Sequence, residues 1–158
     1  MRREEYTPLG VATRFVGLRE VEGHIHNPAI VAMHQLVNSS VRDDETPWCS
    51  AFVNYVAWLL SLERSNSLAA RSWLGVGRPV EAAAAAPGFC VAVLSRGVGP
   101  QPGPSVLNAP GHVGFFAGWD GDDKIRLLGG NQGNAVSLAS FPRSRLLGIR
   151  ELMREKQG

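Results

Sequence analysis

Cys49 stands in "DETPWCSAFVNYVAWLL", just after a proline and just before an apolar run at helical spacing. A thiol attacks as its thiolate. The unpaired N–H groups and dipole at a helix start favour that anion. A cysteine there can also offer its own N–H to a developing oxyanion. A thiol nucleophile needs a base, and four histidines are available: His24, His26, His34 and His112. His112 opens "GHVGFF", a strand that follows a Gly/Pro-rich loop. At the open end of a sheet, its imidazole can face a helix N-terminus and then needs an orienting partner. Asn131, in "LLGGNQGN", ends the next strand. If the two strands form a hairpin, Asn131 comes to lie beside His112, and its amide oxygen can accept a ring N–H. Each residue also has a plainer reading. Cys49 reads equally as a buried core thiol and Asn131 as a turn residue.

The elements that would position these groups follow from periodicity. Val11, Phe15, Leu18 and Val21 recur at helical spacing, so a short helix is expected before residue 23. Asn27 reads as an N-cap with Pro28 at the first helical position of a segment that ends at Asn38. Thr46 and Pro47 read the same way for the next helix, with Cys49 in its first turn and on the face of Phe52, Val53, Val56 and Leu60. "SLAARSWLGVG" suggests a short helix stopped by Gly75 and Gly77. The alanine run at 82–86, bracketed by Pro79 and Pro87, leaves room for two turns at most. Beyond Pro87 the texture becomes strand: "FCVAVLS", "HVGFFAGW", "KIRLLGG", "AVSLASF" and "RLLGIREL", with turns at "DGDD" and "NQGN". The expected class is α+β, a helical first half followed by an antiparallel sheet of about five strands. Residues 1–23 read as an N-terminal arm or helix, 24–151 as the one domain, and 152–158 as a solvated tail.

Composition narrows the classes. Apolar residues make up 44% and charged residues 19% of 158, enough to bury a core. The net charge is only +2, with no basic run interleaved with aromatics, so nucleic acid is not an expected partner. "MRREEYTPLG" has no apolar core, so no Sec-type signal is read there, and no run approaches bilayer-spanning length. The expectation is synthesis in the cytoplasm, no membrane insertion, and transport by other means if the protein acts elsewhere.

"DDETPWCSAFVNYV", "ARSWLGVG", "GHVGFFAG" and "LGGNQGNAVSLASFPRSRLLGIR" together resemble the NlpC/P60 and CHAP superfamily of cell-wall hydrolases. Within it they resemble the small phage- and prophage-associated branch that reads TPWCAAFVNW, ARSWL, PGD, GHVGF, LGGNQ. "GLREVEGHIHNPAI" fits the upstream text of that branch, and the resemblance spans roughly residues 16–150. It implies a papain-like fold, with Cys49 as nucleophile, His112 as base and Asn131 as orienting residue. Gln132 is a second candidate for that last position. It also implies cleavage of an amide in peptidoglycan, either N-acetylmuramoyl-L-alanine or within the stem peptide. The chain departs from the pattern at "PGFC", where Phe89 replaces the Asp of PGD. Cys90, beside it, reads as a buried thiol.

Other features carry less. His24, His26 and His34 lack a completing ligand, so no metal site is assigned. "DGDD" is explained by a hairpin turn, with calcium the competing reading. Trp48 adjoins Cys49 and is a candidate cleft residue, as is Trp73. Asp44, with Asp43 and Glu45, either complements the helix dipole or meets amines of a stem peptide. The expected partners are peptidoglycan and, for a lysin or a virion- or tail-associated hydrolase, phage tail or secretion-machinery proteins. The competing functions are a catalytically silent tail-tip subunit on the same fold and a papain-like acyltransferase or deamidase.

Overall fold

The computed structural model describes residues 6–22, 26–43 and 47–156. Three α-helices precede six strands: α1 (Pro8–Thr13), α2 (Pro28–Val37), α3 (Cys49–Leu59), then β1 (Arg78–Val80), β2 (Cys90–Ser95), β3 (Gly111–Asp120), β4 (Lys124–Gly129), β5 (Ser137–Pro142) and β6 (Leu146–Glu151). The strands form one antiparallel sheet in the order β1-β6-β2-β3-β4-β5. This is the α+β, papain-like arrangement: helices on a curled antiparallel sheet.

Alternation along the strands explains both layers. Val91, Val93, Val113, Phe115 and Leu128 face the helices, where Ile30, Met33, Trp48, Phe52, Val56 and Trp73 complete one core. Their neighbours Cys90, Ala92, Leu94, Phe116, Ile125, Leu127 and Ile149 form a second core on the opposite face. Val80 from one edge strand and Phe141 from the other pack on that second core. This draws the edges together into a half-barrel.

Several expectations are corrected. The first helix stops at Thr13, and the chain reverses at Gly17, whose φ of 99° suits glycine. Residues 17–20 then pair with 134–136, while Phe15 stacks edge-on against Phe52 and Tyr55, so the arm belongs to the main core. Asn27 caps α2 as expected, its Oδ1 accepting from the N–H of Ala29. The N-cap of α3 is Trp48, Pro47 lies outside the helix, and Thr46 lies outside the described residues. The alanine run forms a single 3-10 turn, Ala82–Ala84, and "ARSWLG" is likewise 3-10. The tail starts with Leu152 buried in the main core; residues 153–156 keep their side chains exposed, yet the backbone there pairs with residues 61–63. No helix among the described residues is long and apolar enough to cross a membrane.

Candidate active site

Cys49 is the first residue of α3 and only 4% exposed. Its helix is held from behind by a buried polar network. Trp73 Nε1 donates to Ser50 Oγ at 2.9 Å, Ser50 Oγ donates to the Ser67 carbonyl at 2.6 Å, and Asn54 Nδ2 reaches the Ser50 and Ser67 carbonyls. Removing such groups from water is tolerated because each has partners. Trp48 is fully buried too, and its Nε1 donates to Glu20 Oε1 at 2.8 Å. Trp48 and Trp73 therefore pack the core and present no surface to a cleft. Asp44 and His24 lie outside the described residues.

Burial pushes the Cys49 thiol up from its ordinary value, while the N–H groups of Val113, Ser50 and Cys49 itself, with the charge of Arg96, pull it partly back. The Val113 N–H belongs to β3, one residue beyond His112. The nucleophile candidate and the base candidate thus meet where the start of α3 crosses the start of β3. No hydrogen bond joins Cys49 Sγ directly to His112.

His112 pairs with Leu94 of β2 and turns its ring toward the half-barrel, 5.2 Å from the Phe141 ring centroid. Its Nε2 lies 2.9 Å from Gln132 Oε1. The Gln132 Nε2 is committed as a donor to the carbonyls of Leu127, at 3.2 Å, and Ser137, at 2.7 Å. That leaves Gln132 Oε1 as an acceptor only, so His112 must carry its proton on Nε2. The lone pair is then on Nδ1, as a base requires. Burial lowers the His112 pKa below its ordinary 6.5, the Gln132 bond opposes this, and Arg145 and Arg96 add to it. Both shifts favour the neutral forms, thiol and imidazole, over the ion pair.

The structure brings Gln132, not Asn131, to His112. Continuing the register Phe115↔Leu128 by three residues would set position 131 opposite 112. However, β4 ends at Gly129 and Asn131 adopts φ 57°, a left-handed turn conformation. Its side chain makes no hydrogen bond among the described residues, so the turn reading fits Asn131. The turn needs room as well. A Cβ on Gly130 would lie 2.7 Å from the Trp48 ring and 2.8 Å from Phe52 Cβ.

Sequence reasoning missed Arg71. It is fully buried, and its guanidinium donates to the carbonyls of Pro102, Gly103, Val106 and Pro110. It thereby ties down the Gly/Pro loop that leads into His112. Four prolines in that loop (Pro100, Pro102, Pro104 and Pro110) supply carbonyls without N–H donors, and this was the available signal. At the hairpin "DGDD", Asp120 pairs with Arg126 at 3.6 Å and accepts from Ser140 Oγ.

No family model matches the sequence, and no curated protein matches it. Among solved structures, the fold is similar to that of NlpC1 from Trichomonas vaginalis. The similarity has a TM-score of 0.57 at 13% identity and covers 97% of this chain and 47% of that one. The chain thus spans about half the length of that neighbour, and what the two share is the NlpC-type α+β fold.

Proposed function

We propose that the protein is a cysteine hydrolase that cleaves an amide bond in peptidoglycan. The observation that carries this reading is the His112–Gln132 bond: with the proton on Nε2, Nδ1 is left free for the base role that the helix-start thiol of Cys49 would need. Supporting it are the NlpC-type fold and the resemblance of "TPWCSAFVNY", "ARSWL", "GHVGF" and "LGGNQ" to phage- and prophage-associated cell-wall hydrolases.

In this mechanism His112 Nδ1 takes the thiol proton as Cys49 Sγ bonds to the amide carbonyl carbon. Backbone N–H groups at the start of α3 hold the oxyanion. The carbon–nitrogen bond breaks, and His112 returns the proton to the leaving amine. Water, deprotonated by His112, then attacks the thioester and frees the thiol and a carboxylic acid. In this reading Gln132 orients the base.

Purified peptidoglycan incubated with the protein should gain free amines, and mass spectrometry of the products should name the bond. Cys49→Ala should abolish that release while the thermal melt stays cooperative. Wild-type turnover by this variant would end the proposal. An absence of products from the wild-type chain would favour a structural subunit, and acyl transfer or deamidation would appear as a different mass change.

A further inference from the structure

We propose that Arg96 and Arg145 form an anion-binding subsite beside His112 that takes a carboxylate of the amide substrate. The inference rests on the hydrolase reading and names what that substrate must carry. Arg96 directly follows Ser95, the last residue of β2, and Ser95 pairs with Gly111 at the mouth of β3. Arg145, between β5 and β6, donates from Nε to the Ser95 carbonyl at 2.9 Å. Its guanidinium carbon lies 5.5 Å from the Phe141 ring centroid, on the ring that His112 contacts. Two elements thus deliver two cations to the same end of the sheet as the candidate base.

No described carboxylate neutralises either cation. Among the described residues the ion pairs are Arg78 with Glu151 and Arg126 with Asp120, and neither Arg96 nor Arg145 meets a carboxylate. Their charges are felt across the site. Arg96 acts on Cys49, on His112 and on Arg145, whose own guanidinium is further disfavoured by partial burial. Holding like charges together beside a base costs stability and lowers the base's proton affinity. A carboxylate held between the two would remove both penalties. Arginine suits the task, because its planar fork matches a carboxylate in a two-point contact. The exposed Arg96 would reach a ligand from solvent while the Ser95 carbonyl fixes Arg145.

The test uses the full chain carrying Cys49→Ala, so that ligand is bound and not consumed. It is titrated calorimetrically with a stem tetrapeptide bearing free carboxylates, and with the same peptide amidated. Amidation should weaken binding about tenfold or more. Combining Arg96→Gln with Arg145→Gln should cut that penalty to less than about twofold, and Arg96→Gln alone should cut it partway. Among the described residues the exposed Arg96 side chain makes no hydrogen bond or ion pair, so its single variant tests charge without threatening the fold. Equal binding of both peptides, no binding of the free-carboxylate peptide, or an undiminished penalty in the double variant would overturn the proposal. The hydrolase reading fails separately: a selective subsite on a wild-type protein that releases no amines would keep the one and sink the other.

Discussion

The side-chain oxygen of Gln132 accepts the Nε2 proton of His112 at 2.9 Å, while the same amide's nitrogen is held by the carbonyls of Leu127 and Ser137. The imidazole's tautomer is therefore dictated by backbone atoms at the end of β4 and the start of β5, acting through a single side chain.

Replacing Gln132 with Leu should lower kcat on muropeptides about a hundredfold, the usual scale of a correctly held general base. Asn131→Gly should change kcat by less than about twofold, because glycine adopts its φ of 57° freely. Steady-state kinetics of both variants decide this. A larger loss at Asn131 than at Gln132 would return the orienting role to Asn131.

The pH dependence has a definite sign. In the proposed mechanism neutral His112 is the active form, so kcat/KM should rise with pH through a midpoint below 6.5. Arg96→Gln removes a cation that disfavours the imidazolium, so its midpoint should move up. Alkylation of Cys49 by iodoacetamide should climb with a midpoint above 9.0, since burial raises the thiol. A flat alkylation rate down to acid pH would instead reveal a preformed thiolate–imidazolium pair.

Arg71→Ala should destabilise the fold by about 3 kcal/mol, because it empties a buried site and removes the guanidinium contacts that hold the 102–110 segment. Arg71→Lys keeps the charge but lacks the five-donor fork, so it should recover only part of that loss. Urea melts of the three proteins measure both effects. Full recovery by lysine would mean that charge alone holds the loop.

Gly130→Ala should cost about 1–3 kcal/mol, since the added methyl meets the Trp48 ring and Phe52 Cβ at under 3 Å. The chain would have to shift at the turn carrying Gln132, so activity should fall further than stability predicts. Differential scanning calorimetry and kcat on one preparation separate the two losses.

Much of this was legible in the sequence. The apolar period of α3 and the alternation in β2, β3 and β4 are strong signals, and they placed Cys49 and His112 at element starts. The three-residue strand Arg78–Val80 was not legible, because a short segment containing proline looks like loop until β6 lies beside it. The 3-10 form of "ARSWLG" was hidden too, since helical spacing over six residues does not separate it from α. The choice between Asn131 and Gln132 turned on one backbone angle. Hairpin register can be continued from sequence, but a left-handed residue after the strand cannot be read from it. The burial of Arg71 runs against the usual surface placement of charge, so nothing in its residue type pointed to it.

The left-handed residue at 131 makes the site sensitive to chain length rather than to composition. Between Gly129, where β4 ends, and Gln132 there are two residues, and they alone carry the amide oxygen to His112. Both lie outside the strand pairs, so losing or gaining one need not change the sheet's register. It would nevertheless hand the imidazole a different neighbour. A relative with this fold but a longer or shorter turn here would be well folded and would need another way to hold its base. Comparing turn length, more than overall similarity, would then separate working copies from retired ones.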